Sequence, residues 1–156
     1  MAPAQASLLA KLDTQERVRD YLTNAVASGR ASHAYLFLGA PGAGKLDAAW
    51  ALAQAFLCEQ DGCGSCDSCV RVARHTHPDV HYYTPESATG YLIAQTRELL
   101  DDVPLAPIRA KAKVYIIDRA EQLRANTANA LLKTLEEPPE GVMFILLGTS
   151  ADVMLP

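Results

Sequence analysis

The sequence predicts an α/β domain: a parallel sheet flanked by helices. Two observations carry that reading. Short, nearly continuous apolar runs alternate along the chain with stretches of helical period, the pattern of strands buried on both faces. A glycine-rich loop stands between the first apolar run and the helix after it. With 156 residues, 49% hydrophobic and 21% charged, the chain suits one domain with a single core.

Residues 7–30 read as one or two amphipathic helices, with Leu8, Leu9, Val18, Leu22 and Val26 on the apolar side and an end near Gly29. His33 to Gly39 is a short apolar run closed by glycine and reads as the first strand. Residues 45–57 place Ala48, Leu52, Ala55 and Phe56 on one face of an amphipathic helix. A cysteine-bearing segment separates this helix from a second strand at residues 80–84. Ile93 to Val103 reads as a helix closed by Pro104 and Pro107, and Lys113 to Asp118 as a β-branched strand ending in an acid. Asn126 is the expected cap of a helix with Ala128, Leu131, Leu132 and Leu135 on one face, stopped by Pro138-Pro139. Val142 to Leu147 is the fourth strand, followed by Gly148-Thr149. Ligands of such sheets sit at the carboxyl ends of the strands, where Gly39, Asp118 and Thr149 all fall.

Composition excludes several classes. A net charge of −4 gives no bulk basic surface for nucleic acid. No apolar run approaches the roughly 20 residues of a membrane helix, and Lys11 interrupts the only apolar stretch near the N-terminus. A cytoplasmic protein with no membrane partner is the expectation.

Gly39-Ala40-Pro41-Gly42-Ala43-Gly44-Lys45 fits G-x-x-x-x-G-K, and it lies between a predicted strand and a predicted helix, the context this phosphate-binding motif requires. Gly39, Gly42 and Gly44 let backbone N–H groups curl around an anion, and Lys45 reaches toward β- and γ-phosphates. The next residue, Leu46, stands where a Ser or Thr hydroxyl ligates Mg²⁺. Asp47 lies one position further round the helix and is misdirected for that task. Weak or absent Mg²⁺ binding follows. Asp118 occupies the place of a Walker-B acid, but its neighbour is Arg119 rather than a water-activating glutamate, and Glu121 falls in the following turn. Asp118 is therefore read as vestigial and the site as having no catalytic residue. Thr149 is either a sensor of a γ-phosphate or an ordinary strand-end threonine.

Cys58, Cys63, Cys66 and Cys69 supply four thiols within twelve residues, with Gly62 and Gly64 allowing tight turns. In a reducing compartment such a cluster points to a structural Zn²⁺ held by four thiolates. One of His75, His77 and His81, just downstream, could replace a cysteine, and disulfides or free thiols are the alternative to zinc. His77-Pro78-Asp79 reads as a turn into the second strand rather than a catalytic pair.

In this order the features resemble the nucleotide-binding domain of bacterial DNA polymerase III clamp-loader subunits, which are AAA+ P-loop proteins that place the sliding clamp on primed DNA. The matching segments are Ser32 to Phe37, Gly39 to Lys45, the cysteine knuckle, Thr76 to Asp79, Lys113 to Asp118 and, most specifically, Asn129 to Pro139. The resemblance runs from about Leu12 to the end of the chain. It implies an AAA+ core over residues 1–156 with a zinc knuckle inserted at 58–69, the first part of a longer protein whose Ser-Arg-Cys finger, lid and collar would follow Met154-Leu155-Pro156. It also implies a place in a DNA-directed DNA polymerase holoenzyme, beside gamma/tau and delta subunits. Gamma/tau motor subunits keep the P-loop hydroxyl and the second Walker-B acid, whereas delta-prime subunits often lose both and act as a stator. Leu46 and Arg119 place this sequence nearer delta-prime, with gamma/tau as the alternative. The gap between Cys58 and Cys63 is shorter than the family's usual spacing, so a tighter loop is expected there.

Overall fold

A computed structural model describes residues 7–12 and 15–149. Four strands, β1 (Ala34–Leu38), β2 (Val80–Tyr83), β3 (Lys113–Ile117) and β4 (Val142–Gly148), form one parallel sheet in the order β1-β4-β3-β2. The helices are α1 (Glu16–Ala27), α2 (Lys45–Leu57), α3 (Asp67–Ala73), α4 (Ile93–Asp102) and α5 (Ala125–Glu136), with single 3-10 turns at Leu9–Lys11 and Ala120–Gln122. Among the described residues no helix is long and apolar enough to cross a membrane.

Every residue of β3 is buried, and its side chains alternate between two cores. Val114 and Ile116 join Met143, Ile145 and Leu147 of β4 against α1 and α2. Tyr115 and Ile117 join Val142 and Phe144 against α4 and α5. The expected two-sided cover thus holds for the central strands. The edge strand β1 is incompletely covered on one face, where Ala34 packs on the second core but Leu36 is 41% and Leu38 44% exposed.

The structure corrects three local expectations. α2 is buried nearly all round, from Ala48 to Ala55 and at Leu57, rather than along one stripe. It is packed by the sheet, α1 and α3, and its alanines permit that close approach. Asn126 is not the cap of α5: Arg124 holds that place, and Asn126 sits in the first turn, its Oδ1 accepting the Thr127 N–H at 2.9 Å. The cysteine segment carries its own helix, α3, capped by the Cys66 sulfur, which accepts the Cys69 N–H.

His77-Pro78-Asp79 forms the expected turn, and it does more. The buried Asp79 carboxylate accepts the backbone N–H groups of Ile108 (2.5 Å), Arg109 (2.7 Å) and Ala110 (2.7 Å), while His77 Nδ1 accepts the Asp79 N–H at 3.0 Å. The segment between α4 and β3 therefore folds around this one acid. A second buried charge, Lys113, donates to the Asp102 and Val103 carbonyls that end α4, with the Asp102 carboxylate 3.5 Å away. The Tyr115 hydroxyl donates to that carboxylate at 2.5 Å, and His81 Nε2 lies 3.3 Å from it.

Burial works against ionised Asp79, but the three N–H donors outweigh it and hold the carboxyl below the usual carboxylate range. Its folded-state pKa being depressed, the stabilisation is complete above the unfolded value of about 4 and fades as pH falls through the folded one. Asp79→Ala should cost about 3 kcal/mol at pH 7, since three buried N–H groups lose their acceptor. In urea titrations the gap between this variant and the parent should narrow from pH 7 to pH 3.

Candidate phosphate loop and thiolate cluster

The loop after β1 follows the motif. Gly42 and Gly44 take φ of +83° and +91°, conformations that side chains rarely adopt, and α2 begins at Lys45. The loop ties back to the sheet: the Gly39 N–H donates to the Gly148 carbonyl at 3.1 Å. The Lys45 ammonium donates to the Gly39 carbonyl at 2.7 Å and the Gly148 carbonyl at 3.0 Å. It therefore clasps the carboxyl ends of β1 and β4 together. Leu46 is half-buried and packs against the core around α2, while Asp47 is exposed.

Asp118 follows β3 directly, its N–H donating to the Tyr83 carbonyl at 2.8 Å. Both of its carboxylate oxygens take protein donors: Oδ2 the Tyr82 hydroxyl at 2.9 Å and Oδ1 the Arg119 N–H at 2.9 Å. Burial and this bond to Asp118 push the Tyr82 hydroxyl above its ordinary pKa. The buried Tyr91 hydroxyl lies between the Tyr83 and Asp118 carbonyls and fixes the turn from behind. Arg119 takes φ +48° and ψ +52°, a left-handed backbone. For a residue with a Cβ that conformation costs about 1 kcal/mol.

A cavity of about 570 Å³ joins these parts. Gly42, Gly44, Lys45 and Leu46 line it from the loop and the start of α2, Asp118, Arg119 and Glu121 from the turn after β3, and Gly148 and Thr149 from the end of β4. The volume suits a small-molecule site. Of the three strand-end residues, Asp118 and Thr149 line the cavity with Lys45, whereas Gly39 is outside the lining and ties the loop to Gly148. Sequence reasoning placed Glu121 in the turn after the strand; it lies there, and it also lines the cavity. Its Oε2 is buried without a hydrogen-bond partner among the described residues. Tyr82 was not foreseen as a partner of Asp118; only its position on the neighbouring strand hinted at it.

The four cysteines converge at the base of α2 and the start of α3. Their sulfurs all lie within 4.8 Å of one another and form no disulfide. Cys58–Cys66 and Cys63–Cys69 sulfurs are 3.8 and 3.9 Å apart. A tetrahedron with metal–sulfur bonds of about 2.3 Å has edges of about 3.8 Å, so the donor set fits one four-coordinate ion. Backbone N–H groups of Gln60, Cys63, Cys66 and Cys69 point at the sulfurs. The N–H groups of Ser65 and Cys66 draw the Cys63 thiol down to about 6, whereas burial pushes Cys66 and Cys69 up. None of the three histidines joins the cluster. His75 stacks on Trp50 at 3.8 Å, His77 serves the Asp79 turn and His81 faces Asp102. The four cysteines together can hold a metal ion.

A family model described as DNA polymerase III, delta subunit, matches residues 14–156. The delta' subunit of DNA polymerase III from Bacillus subtilis (strain 168) is 41% identical over 138 residues, 86% of this chain and 42% of that protein. The tau subunit from Escherichia coli (strain K12) is 43% identical over 139 residues, 86% of this chain and 21% of that protein. The chain thus spans less than half the length of either relative. Among solved structures, a DNA polymerase III gamma subunit-related protein of Thermotoga maritima superposes with a TM-score of 0.60 at 20% identity, over 88% of this chain and 41% of that one. It shares the fold.

The clasp made by Lys45 predicts a stability role with no ligand present. Lys45→Met should lower stability by about 2 kcal/mol in nucleotide-free buffer, measured by urea unfolding, because two charge-assisted bonds are lost. A lysine serving ligand alone would leave the curve unmoved.

Proposed function

The chain belongs to the DNA polymerase III delta-subunit family, and from that premise we propose that it is the AAA+ core of a clamp-loader subunit that does not turn over ATP, of the delta-prime type. The paired loss at Leu46 and Arg119 carries the reading. Leucine offers no oxygen to Mg²⁺, and arginine no base to water. Asp118, the acid that remains, has both oxygens engaged by Tyr82 and by its own turn. In this reading residues 1–156 are the nucleotide-binding core and 58–69 an inserted knuckle. The subunit works as a stator beside gamma/tau and delta subunits, and it meets the sliding clamp and primed DNA through the complex.

One observation favours a second reading, an ATP-hydrolysing gamma/tau motor. Glu121 is a carboxylate in the cavity lining, and its Oε2, buried without a hydrogen-bond partner among the described residues, is not used by the turn it sits in. The similarity to tau proteins is as high as that to delta'. Steady-state ATPase assays on the full-length chain with Mg²⁺ separate the two. The stator reading expects no turnover above background. Turnover lost in both Lys45→Ala and Glu121→Gln would sink it.

The metal we propose for the cysteine cluster is Zn²⁺ in a structural role, since four thiolates close the coordination shell and leave no open position. The site staples a segment too small to own a core. Purified protein should contain about one zinc per chain. Chelation should also change the emission of Trp50, the chain's single tryptophan, because His75, stacked on it, follows the helix that the cluster starts. A folded, metal-free protein with unchanged emission would refute the assignment.

A further inference from the structure

The phosphate half and the metal half of the cavity have separate fates. The backbone curl at Gly42 and Gly44, the amino end of α2 and Lys45 all remain. The set that would hold a divalent ion is incomplete: Leu46 supplies no oxygen, and Asp118, the acid that remains, already accepts one hydrogen bond on each carboxylate oxygen, from the Tyr82 hydroxyl and the Arg119 N–H. Asp47, Asp118 and Glu121 line the same cavity but do not converge as a metal-binding group. A polyphosphate entering here without its metal would need another positive charge besides Lys45. Arg119, beside Asp118 in the lining, is the other cation among the described residues of the cavity. It lines the cavity, its side chain is exposed, and among the described residues it makes no ion pair although Asp118 and Glu121 are sequence neighbours. It also keeps a left-handed backbone that glycine or asparagine would adopt with less strain. An unfavourable conformation maintained at the rim of a ligand cavity points to a task for the side chain.

We propose that this cavity binds the diphosphate portion of a nucleotide without a divalent cation, with the Arg119 guanidinium taking the charge-neutralising place of the metal. A guanidinium can bridge two phosphate oxygens at once, which an ammonium cannot. A site of this kind holds ligand without activating water. The inference rests on the stator reading above, yet the two fail separately: turnover tests that reading, metal-free binding tests this one.

Calorimetric titration of the full chain with ADP and with inorganic pyrophosphate, each in Mg²⁺ and in EDTA, is the test. The expected result is ADP affinity equal within about threefold in the two buffers, with pyrophosphate also binding in EDTA. Arg119→Gly should weaken ADP at least tenfold in EDTA while raising the melting temperature, because it removes the guanidinium and relieves the backbone. That opposite movement excludes unfolding as the cause. Arg119→Lys should recover only part of the affinity. The proposal is overturned if ADP binds only with Mg²⁺, if Arg119→Gly binds like the parent, or if neither ligand binds in EDTA.

Discussion

A parallel strand buried on both faces must send successive side chains into two different cores, and β3 does so without exception. Its neighbour β4 obeys the same rule, with only Leu146 partly exposed. Neither strand can slip by one residue without exchanging the two cores, so the register is fixed. The helices are then assigned to sides: α1 and α2 meet Ile116 and Ile145, while α4 and α5 meet Tyr115 and Phe144. With the strands parallel, their carboxyl ends share one edge. Lys45, Asp118 and Thr149 are brought around one cavity for that reason, although they lie far apart in sequence.

The remaining surface is organised by a few charges rather than by more apolar burial. Asp79 gathers three N–H groups of a segment that has no secondary structure of its own. Arg109, from that same segment, pairs at 3.0 Å with Asp67, the first residue of α3. Through these two acids the loop before β3 and the cysteine segment lean on each other. The Asp67–Arg109 pair is exposed and contributes little by itself; its weight comes from joining two segments that are each fixed elsewhere.

What was legible in the sequence was whatever depends on near neighbours. The glycine loop, the strand runs and the cysteine spacing are local patterns, and each stands where it was expected. The misreadings arise where partners are remote. Asp79 is the turn residue it was read as, but its second role was hidden because the N–H groups its carboxylate accepts lie 29 to 31 positions on. Lys113 was read only as the first residue of a strand; it is 2% exposed because α4 ends on it. α2 looked amphipathic because alanine is neutral to a periodicity argument; only packing on several sides shows that its alanines are buried. α3 was missed because seven residues hold too little periodicity to register and its cap is a sulfur.

The same distinction bears on the phosphate loop. A motif records the backbone shape that glycines permit, and that shape has an independent reason to persist here. The Gly39 N–H and the Lys45 ammonium both bond to the Gly148 carbonyl, closing β1 onto β4. Without these bonds the edge strand would be held at its carboxyl end by less, and β1 already has an incompletely covered face at Leu36 and Leu38. The loop can therefore be retained for the fold while the residues that serve only Mg²⁺ and water change. Leu46 and Arg119 are not among the side chains that tie the loop to the sheet: the first is half-buried between the core and the cavity, and the second is exposed at the cavity. A glycine-rich loop in this chain is consequently evidence about backbone geometry first, and chemistry has to be read from the residues beside it.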